Sequence, residues 1–353
     1  MSDCAKGGQH ARLPFVDALK AIASQLIVLH HLAFYGPMSD YAQSISPELI
    51  AWLSQHARIA VQAFLVMGGF LSAQTLARDG RLSTKPLRTL LWRRYLKLVP
   101  PYLCALLLAI AGSAIARSLI SHDSIPGAPT LSQLMAHIFL LQSILGFDGL
   151  SAGVWYVAID FQLYALLLLT LGLARRILPE SPRTGLGFVI VLITASLYYF
   201  NRESSWDNWA LYFFGAYGLG AVTYWMVQRQ RASIGLLLIA GLVLTALLLD
   251  YRSRIAVALL VAVALGLARY TGRIECWPKS KALAWLGQIS YSVFLVHFPV
   301  CLVINALFER FAPHSPSIQM AGLLLAWLAS IGCGALFYQH VECRTQRVLP
   351  GKT

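Results

Sequence analysis

LKAIASQLIVLHHLAF, Leu19 to Phe34, is the apolar centre of residues 13–34, a run long enough to cross a hydrocarbon core about 30 Å thick as a helix. It nevertheless carries Lys20 near one end and His30 and His31 near the other. Lys20 and His31 are separated by 11 residues, which is about three helical turns and about 16 Å, so both project from nearly the same face. Asp17, Ser24 and Ile27 share that stripe, whereas His30 points about 100° away. A cation inside a membrane is expensive and needs a polar cavity and a partner, for which Asp17, at i−3, is the nearest candidate. A second reading of the same residues has Lys20 and His31 snorkelling to opposite headgroup layers.

The rest of the chain agrees with a membrane setting. Of its 353 residues 58% are hydrophobic and only 12% charged, and the mean hydropathy of +0.63 is too apolar for a water-soluble globule. The expected fold is an all-α integral membrane protein, one transmembrane domain over residues 1–353 with no soluble domain. About ten spans are predicted, at 13–34, 57–77, 95–115, 153–173, 185–200, 209–227, 233–249, 255–268, 283–306 and 318–338. The first twelve residues are polar, and Asp17 and Lys20 interrupt the run that follows, so the N-terminus reads as retained rather than as a cleaved signal.

An eleventh apolar stretch, residues 131–147, is shorter and contains Gln133, His137 and Gln142. Charge decides its status. If it does not cross, 21 of the 28 basic residues fall on one side, among them Lys6, the seven from Arg78 to Lys97, Arg229, Arg231 and Lys352. If it does cross, the later basic loops invert, against the positive-inside rule. The expectation is therefore ten crossings, both termini cytoplasmic in the inner cell membrane, and an interfacial or re-entrant helix at 131–147. The net charge of +13 is thus used for topology. The basic residues lie between apolar spans rather than in an aromatic-interleaved patch, so no nucleic-acid partner is expected. The six cysteines are dispersed, which reads as packing residues and reduced thiols and gives no metal site.

Other polar groups lie within spans. Asp160, in GVWYVAIDFQLYALLL (153–168), has Tyr156 and Tyr164 one turn to either side, and His297 sits inside YSVFLVHFPV (291–300). A buried carboxylate requires neutralisation, a cation or water, and several ionisable groups in separate spans point to one shared polar site. In LRTLLWRRYLKLVPPY (87–102), Arg93 and Arg94 lie four and three residues before Lys97 and make one helical face basic. That face is either a positive-inside anchor or a clamp for the phosphates of a ligand.

Taken in order, these segments resemble the membrane acyltransferase 3 family. Lys20 and His31 match its first-span basic-to-histidine spacing. FLVMGGFLS (64–72) is similar to FFxxSGFL, with Gly68 in place of Ser. RRYLKLVPPY resembles RRxxRxxP, with Lys97 for the last Arg. VWYVAIDFQLY resembles WSLxxExqFY, with Asp160 for Glu, and YSVFLVHFPV resembles YSxYLxHxP, with Phe294 for Tyr. The resemblance implies transfer of an acyl group, most often acetyl, from cytoplasmic acyl-coenzyme A as co-substrate to a hydroxyl of a glycan or lipid-linked saccharide, among membrane lipid and with no permanently bound cofactor. It implies His31 and Asp160 as catalytic residues, with Asp160 orienting His31 or balancing Lys20. Lys20, Arg93, Arg94, Lys97, Tyr164 and His297 would bind substrate or donor. A competing reading from the same intramembrane charges is a proton-coupled transporter or flippase for a polar substrate.

Overall fold

The computed structural model of the chain describes residues 12–179, 181–227 and 232–347. Of the groups used above, Cys4, Lys6, Arg229, Arg231 and Lys352 lie outside the described residues. Helices follow one another with short connections: α1 (Pro14–Phe34), α2 (Pro37–Ala42), α3 (Pro47–His56), α4 (Val61–Leu76), α5 (Leu87–Leu119), α6 (Leu131–Ile138) and α7 (Val154–Ile177). The second half adds α8 (Pro182–Tyr198), α9 (Ala210–Val227), α10 (Ala232–Leu249), α11 (Ser253–Tyr270), α12 (Lys281–Phe311), α13 (Pro316–Phe337) and α14 (Cys343–Arg347). Five of these helices open on a proline, whose missing N–H is one of the unsatisfied donors of a first turn and whose fixed φ suits it.

Among the described residues nine helices are long and apolar enough to cross a membrane. The apolar part of α10, Ile234–Leu249, is shorter and stands apart from these nine, where the sequence predicted a tenth span. The protein is a multi-pass, all-α membrane protein. Its outer surface is correspondingly greasy, with Leu248, Leu237 and Leu260 each more than two-thirds exposed, while polar side chains such as His31, His297, Asp160 and Glu342 are buried inside. Arg12 bonds the Ala284 carbonyl and Arg175 that of Ser83, so basic groups gather the connections at the Lys20 end of the bundle. Cys104, Cys276, Cys301 and Cys333 are free thiols, whereas Cys343 is disulfide-bonded, a departure from six reduced thiols.

Two helix pairs position the interior. The α4–α9 pair crosses so closely that a Cβ on Gly69 would lie 1.7 Å from the Tyr217 carbonyl oxygen, and one on Gly220 only 1.9 Å from that of Val66. Small residues permit this approach, which is how helices gain contact where lipid tails are as apolar as leucine. The α1–α12 pair brings the Lys20–His31 face against the segment that holds His297.

The segment 131–147 does not cross. Only Leu131–Ile138 is helical, started by a Thr130–Gln133 capping box, and eight residues span about 12 Å. The chain then turns at Leu140, whose φ is +58°. Its freed carbonyls meet groups belonging to spans: the Tyr95 hydroxyl donates to Ile138 O and Gln162 Nε2 to Leu140 O. Non-helical backbone at membrane depth requires such partners, so the segment is re-entrant. α7 consequently begins beside Phe294, midway along α12, with a Gly153 Cβ position 3.0 Å from that ring. Residues 139–153 fill the depth that α7 leaves.

Candidate functional site

α1 places its two histidines on different surroundings, as the helical phase requires. His30 Nδ1 meets the Leu53 carbonyl of α3 at 3.0 Å. His31 turns inward, and its Nδ1 lies 2.6 Å from Nε2 of His297 on α12, the two rings within 2° of parallel. The tautomers follow from a carbonyl. His297 Nδ1 faces Val293 O at 3.2 Å, and a carbonyl can only accept, so that nitrogen carries the proton. Neutral His297 then presents a lone pair at Nε2, His31 Nδ1–H donates to it, and His31 Nε2 is left as a basic lone pair. No partner for that nitrogen occurs among the described residues. An imidazole fixed in this tautomer can remove a proton from a hydroxyl.

Asp160 is committed elsewhere. Its carboxylate accepts from Arg94 Nη2 at 2.5 Å, and the Arg94 guanidinium lies 5.1 Å from the Tyr164 ring centroid, so the acid neutralises Arg94 instead of making the contact to His31 or Lys20 read from the sequence. A charged, nearly buried carboxylate demands a partner, and the guanidinium one helix away supplies it. Arg94 Nε remains without a partner among the described residues. Asp17 pairs with Arg12, at 3.3 Å, and stays within electrostatic reach of Lys20, as expected from its place one turn away.

Lys20, Arg94, Lys97 and Asp160 converge on one cavity of about 270 Å³, whose apolar walls include Phe64, Met67 and Phe294. Arg93 sits on the exposed side of α5 and does not line it, which separates it from the Arg94–Lys97 face. Tyr164 lies behind Arg94, its hydroxyl 3.5 Å from Leu90 O. Gly68 also lines the cavity, and a Cβ there would stand 3.4 Å from Asp160 Oδ1 and 3.0 Å from the Tyr217 ring, so glycine and the shorter acid leave space together. Sequence reasoning missed Glu342. It lines the same cavity, accepts from the Ser292 hydroxyl at 2.5 Å and from Gln346 at 3.0 Å, and sits in a π-helical turn, Tyr338–Glu342, that continues α13. The signal was an acid four residues past the expected end of the last span, in a helix that runs on to Arg347.

A second cavity, of about 600 Å³, opens on the other side of the histidine pair beneath residues 123–155. The two approach each other through aromatic residues. Phe294 lines the first and packs 6.0 Å from His297; Phe298, one turn on, lines the second and meets Tyr35, which packs against His31. His31 and His297 thus stand between a cavity with lysines and a cavity with loop residues. A family model described as an acyltransferase domain matches residues 13–338, nearly the whole described chain.

The chain belongs to the acyltransferase 3 family.

No curated protein and no solved structure shows a significant match. Membership makes this multi-pass protein a membrane acyltransferase, and the matched region contains each site group of α1, α4, α5, α7 and α12 described above. In this acyltransferase 3 domain the paired imidazoles pack against aromatic residues that line the two cavities, Phe294 on one side and Tyr35 on the other.

Proposed function

We propose that the protein is an O-acyltransferase that moves an acyl group, most simply acetyl, from acyl-coenzyme A to a hydroxyl of a glycan or lipid-linked saccharide. The observation that carries this reading is the His31–His297 contact between two cavities. The donor enters the lysine-lined cavity, where Lys20 and Lys97 attract its negative charge and Arg94 Nε offers a hydrogen bond, while Arg93 on the outer surface of α5 lies where the coenzyme phosphates would approach. The acceptor enters from the other side. His31 Nε2 takes the proton of the attacking hydroxyl, the new C–O bond forms at the thioester carbonyl, the C–S bond breaks, and the departing thiolate recovers the proton from the imidazolium. Asp160 acts through Arg94, holding its guanidinium at the cavity wall. The basic connections at the Lys20 end orient that end, and both termini, to the cytoplasm of a cell whose inner membrane holds the protein.

Purified protein in lipid nanodiscs, supplied with acetyl-coenzyme A and an acceptor glycan, should release free coenzyme A. His31→Ala should abolish release with folded protein still recovered, and His30→Ala should change it little because that ring serves α3. Wild-type rates in His31→Ala would sink the mechanism. Glycan transport without thiol release would favour a transporter built on the same charges.

A further inference from the structure

The cavity on the far side of the histidines has a chemical bias that the transfer reaction alone does not require. Asp123, Gln142, Asp148, Ser151, Trp155 and Phe298 contribute to its lining, and no lysine or arginine does. Two guanidiniums border it without lining it: Arg117 donates to the Pro126 carbonyl, and Arg58 lies over the Trp155 ring at 5.4 Å. Each lining amide commits one of its two N–H donors to a backbone carbonyl. Gln133 Nε2 donates to Asp148 O at 2.8 Å, and Gln142 Nε2 to Val154 O at 3.1 Å. The Val154 carbonyl fixes the Gln142 amide orientation, since only the NH₂ group can face it. That leaves Gln142 Oε1 buried, the residue only 1% exposed, with no hydrogen-bond partner among the described residues. An orphaned buried acceptor is costly, and a ligand that donates to it relieves the cost.

We infer that this cavity is the acceptor subsite and that it selects a polyhydroxylated ring without negative charge, a neutral or amino-bearing saccharide. The inference rests on the transferase reading for the word acceptor, but its chemistry comes from the lining. Carboxylates and an unpaired amide oxygen accept hydrogen bonds, and a sugar offers several O–H donors to them. A uronate or phosphosugar would instead set its anion against Asp123 and Asp148, with no guanidinium or ammonium among the described lining residues to meet it. Trp155 and Phe298 supply apolar ring surface for the C–H faces of the sugar.

Binding can be measured apart from transfer. Wild-type protein in nanodiscs, with no acyl donor present, is titrated by ligand-observed NMR with matched pairs of neutral glycosides, their amino counterparts and their uronates. The neutral or amino member should bind more tightly in each pair. Gln142→Leu should weaken neutral binding about tenfold, the loss expected for one buried hydrogen bond. Asp123→Asn combined with Asp148→Asn, two exposed positions that leave the re-entrant packing intact, should bring the uronate close to its neutral partner. Uronates that bind wild-type protein as tightly as neutral sugars, or no binding by any member, would overturn the inference, as would wild-type selectivity in both variants. Neutral preference without thiol release defeats the transferase reading alone, and thiol release without that preference defeats this one alone.

Discussion

His297 matters at the scale of a single residue because one of its nitrogens is already occupied. Val293 O holds its Nδ1–H, so Nε2 can only accept, and that acceptance leaves His31 Nε2 unprotonated. His297 is therefore a positioning residue, and its replacement should lower kcat with little change in KM for either substrate. For His297→Ala the expected loss is on the order of a hundredfold or more, the scale seen when an orienting partner of a catalytic imidazole is removed. His297→Gln retains an acceptor oxygen for His31 Nδ1–H and should recover part of the rate, which a role in packing alone does not predict. Steady-state kinetics on the two variants decide the matter. The residue types of this site were legible in the sequence, since ionisable groups inside spans advertise themselves. Their pairing was not. Asp160 sits on the helix expected of it but in the lysine-lined cavity, away from the depth of His31, and the choice between Arg94, Lys20 and His31 is made by how α5 and α7 pack, which no spacing along one helix encodes.

At the scale of elements, the α4–α9 crossing leaves no room for a side chain on either glycine. Gly69→Val or Gly220→Val should separate the helices and cost more than about 3 kcal/mol, because the obstruction is backbone and cannot rotate away. The check is the yield and thermal transition of detergent-solubilised variants. The re-entrant segment makes a different prediction. His137 donates from Nδ1 to Gln133 O and accepts the Leu150 amide at Nε2, an arrangement open only to the neutral ring. Protonation places N–H against N–H, so the segment loses stability as pH falls below the ordinary histidine pKa of about 6.5 and keeps it above. Hydrogen exchange at the Leu150 amide should accelerate on acidification in wild-type protein and be fast at all pH values in His137→Ala. The placement of basic residues predicted that residues 131–147 do not cross. It gave no sign that Tyr95 and Gln162 would hold the segment at membrane depth, because both read as ordinary polar residues within spans.

For the whole molecule, the multi-pass all-α class was readable from composition. The helical extents were less so. α5 and α12 run to 33 and 31 residues, well past their apolar centres. The orientation is open to a direct measurement. Cys276, exposed in the connection between α11 and α12, should resist a membrane-impermeant maleimide added to intact cells and react after permeabilisation. A cysteine placed at Ser124, at the loop-lined cavity, should show the reverse. Labelling of Cys276 from outside would invert the molecule and with it the assignment of donor and acceptor sides. The two half-depth cavities carry one more consequence. On the proposed placement of donor and acceptor on opposite sides, the low-dielectric partition between them is the layer of Tyr35, Phe294, Phe298 and the paired imidazoles, which pack against one another. The transmembrane voltage falls across the poorly conducting layer, at about 2.3 kcal/mol per unit charge per 100 mV. In the proposed transfer the acyl group and the proton move in opposite directions between neutral partners, so the exchange is electroneutral, and only the transient imidazolium at His31 would feel that voltage.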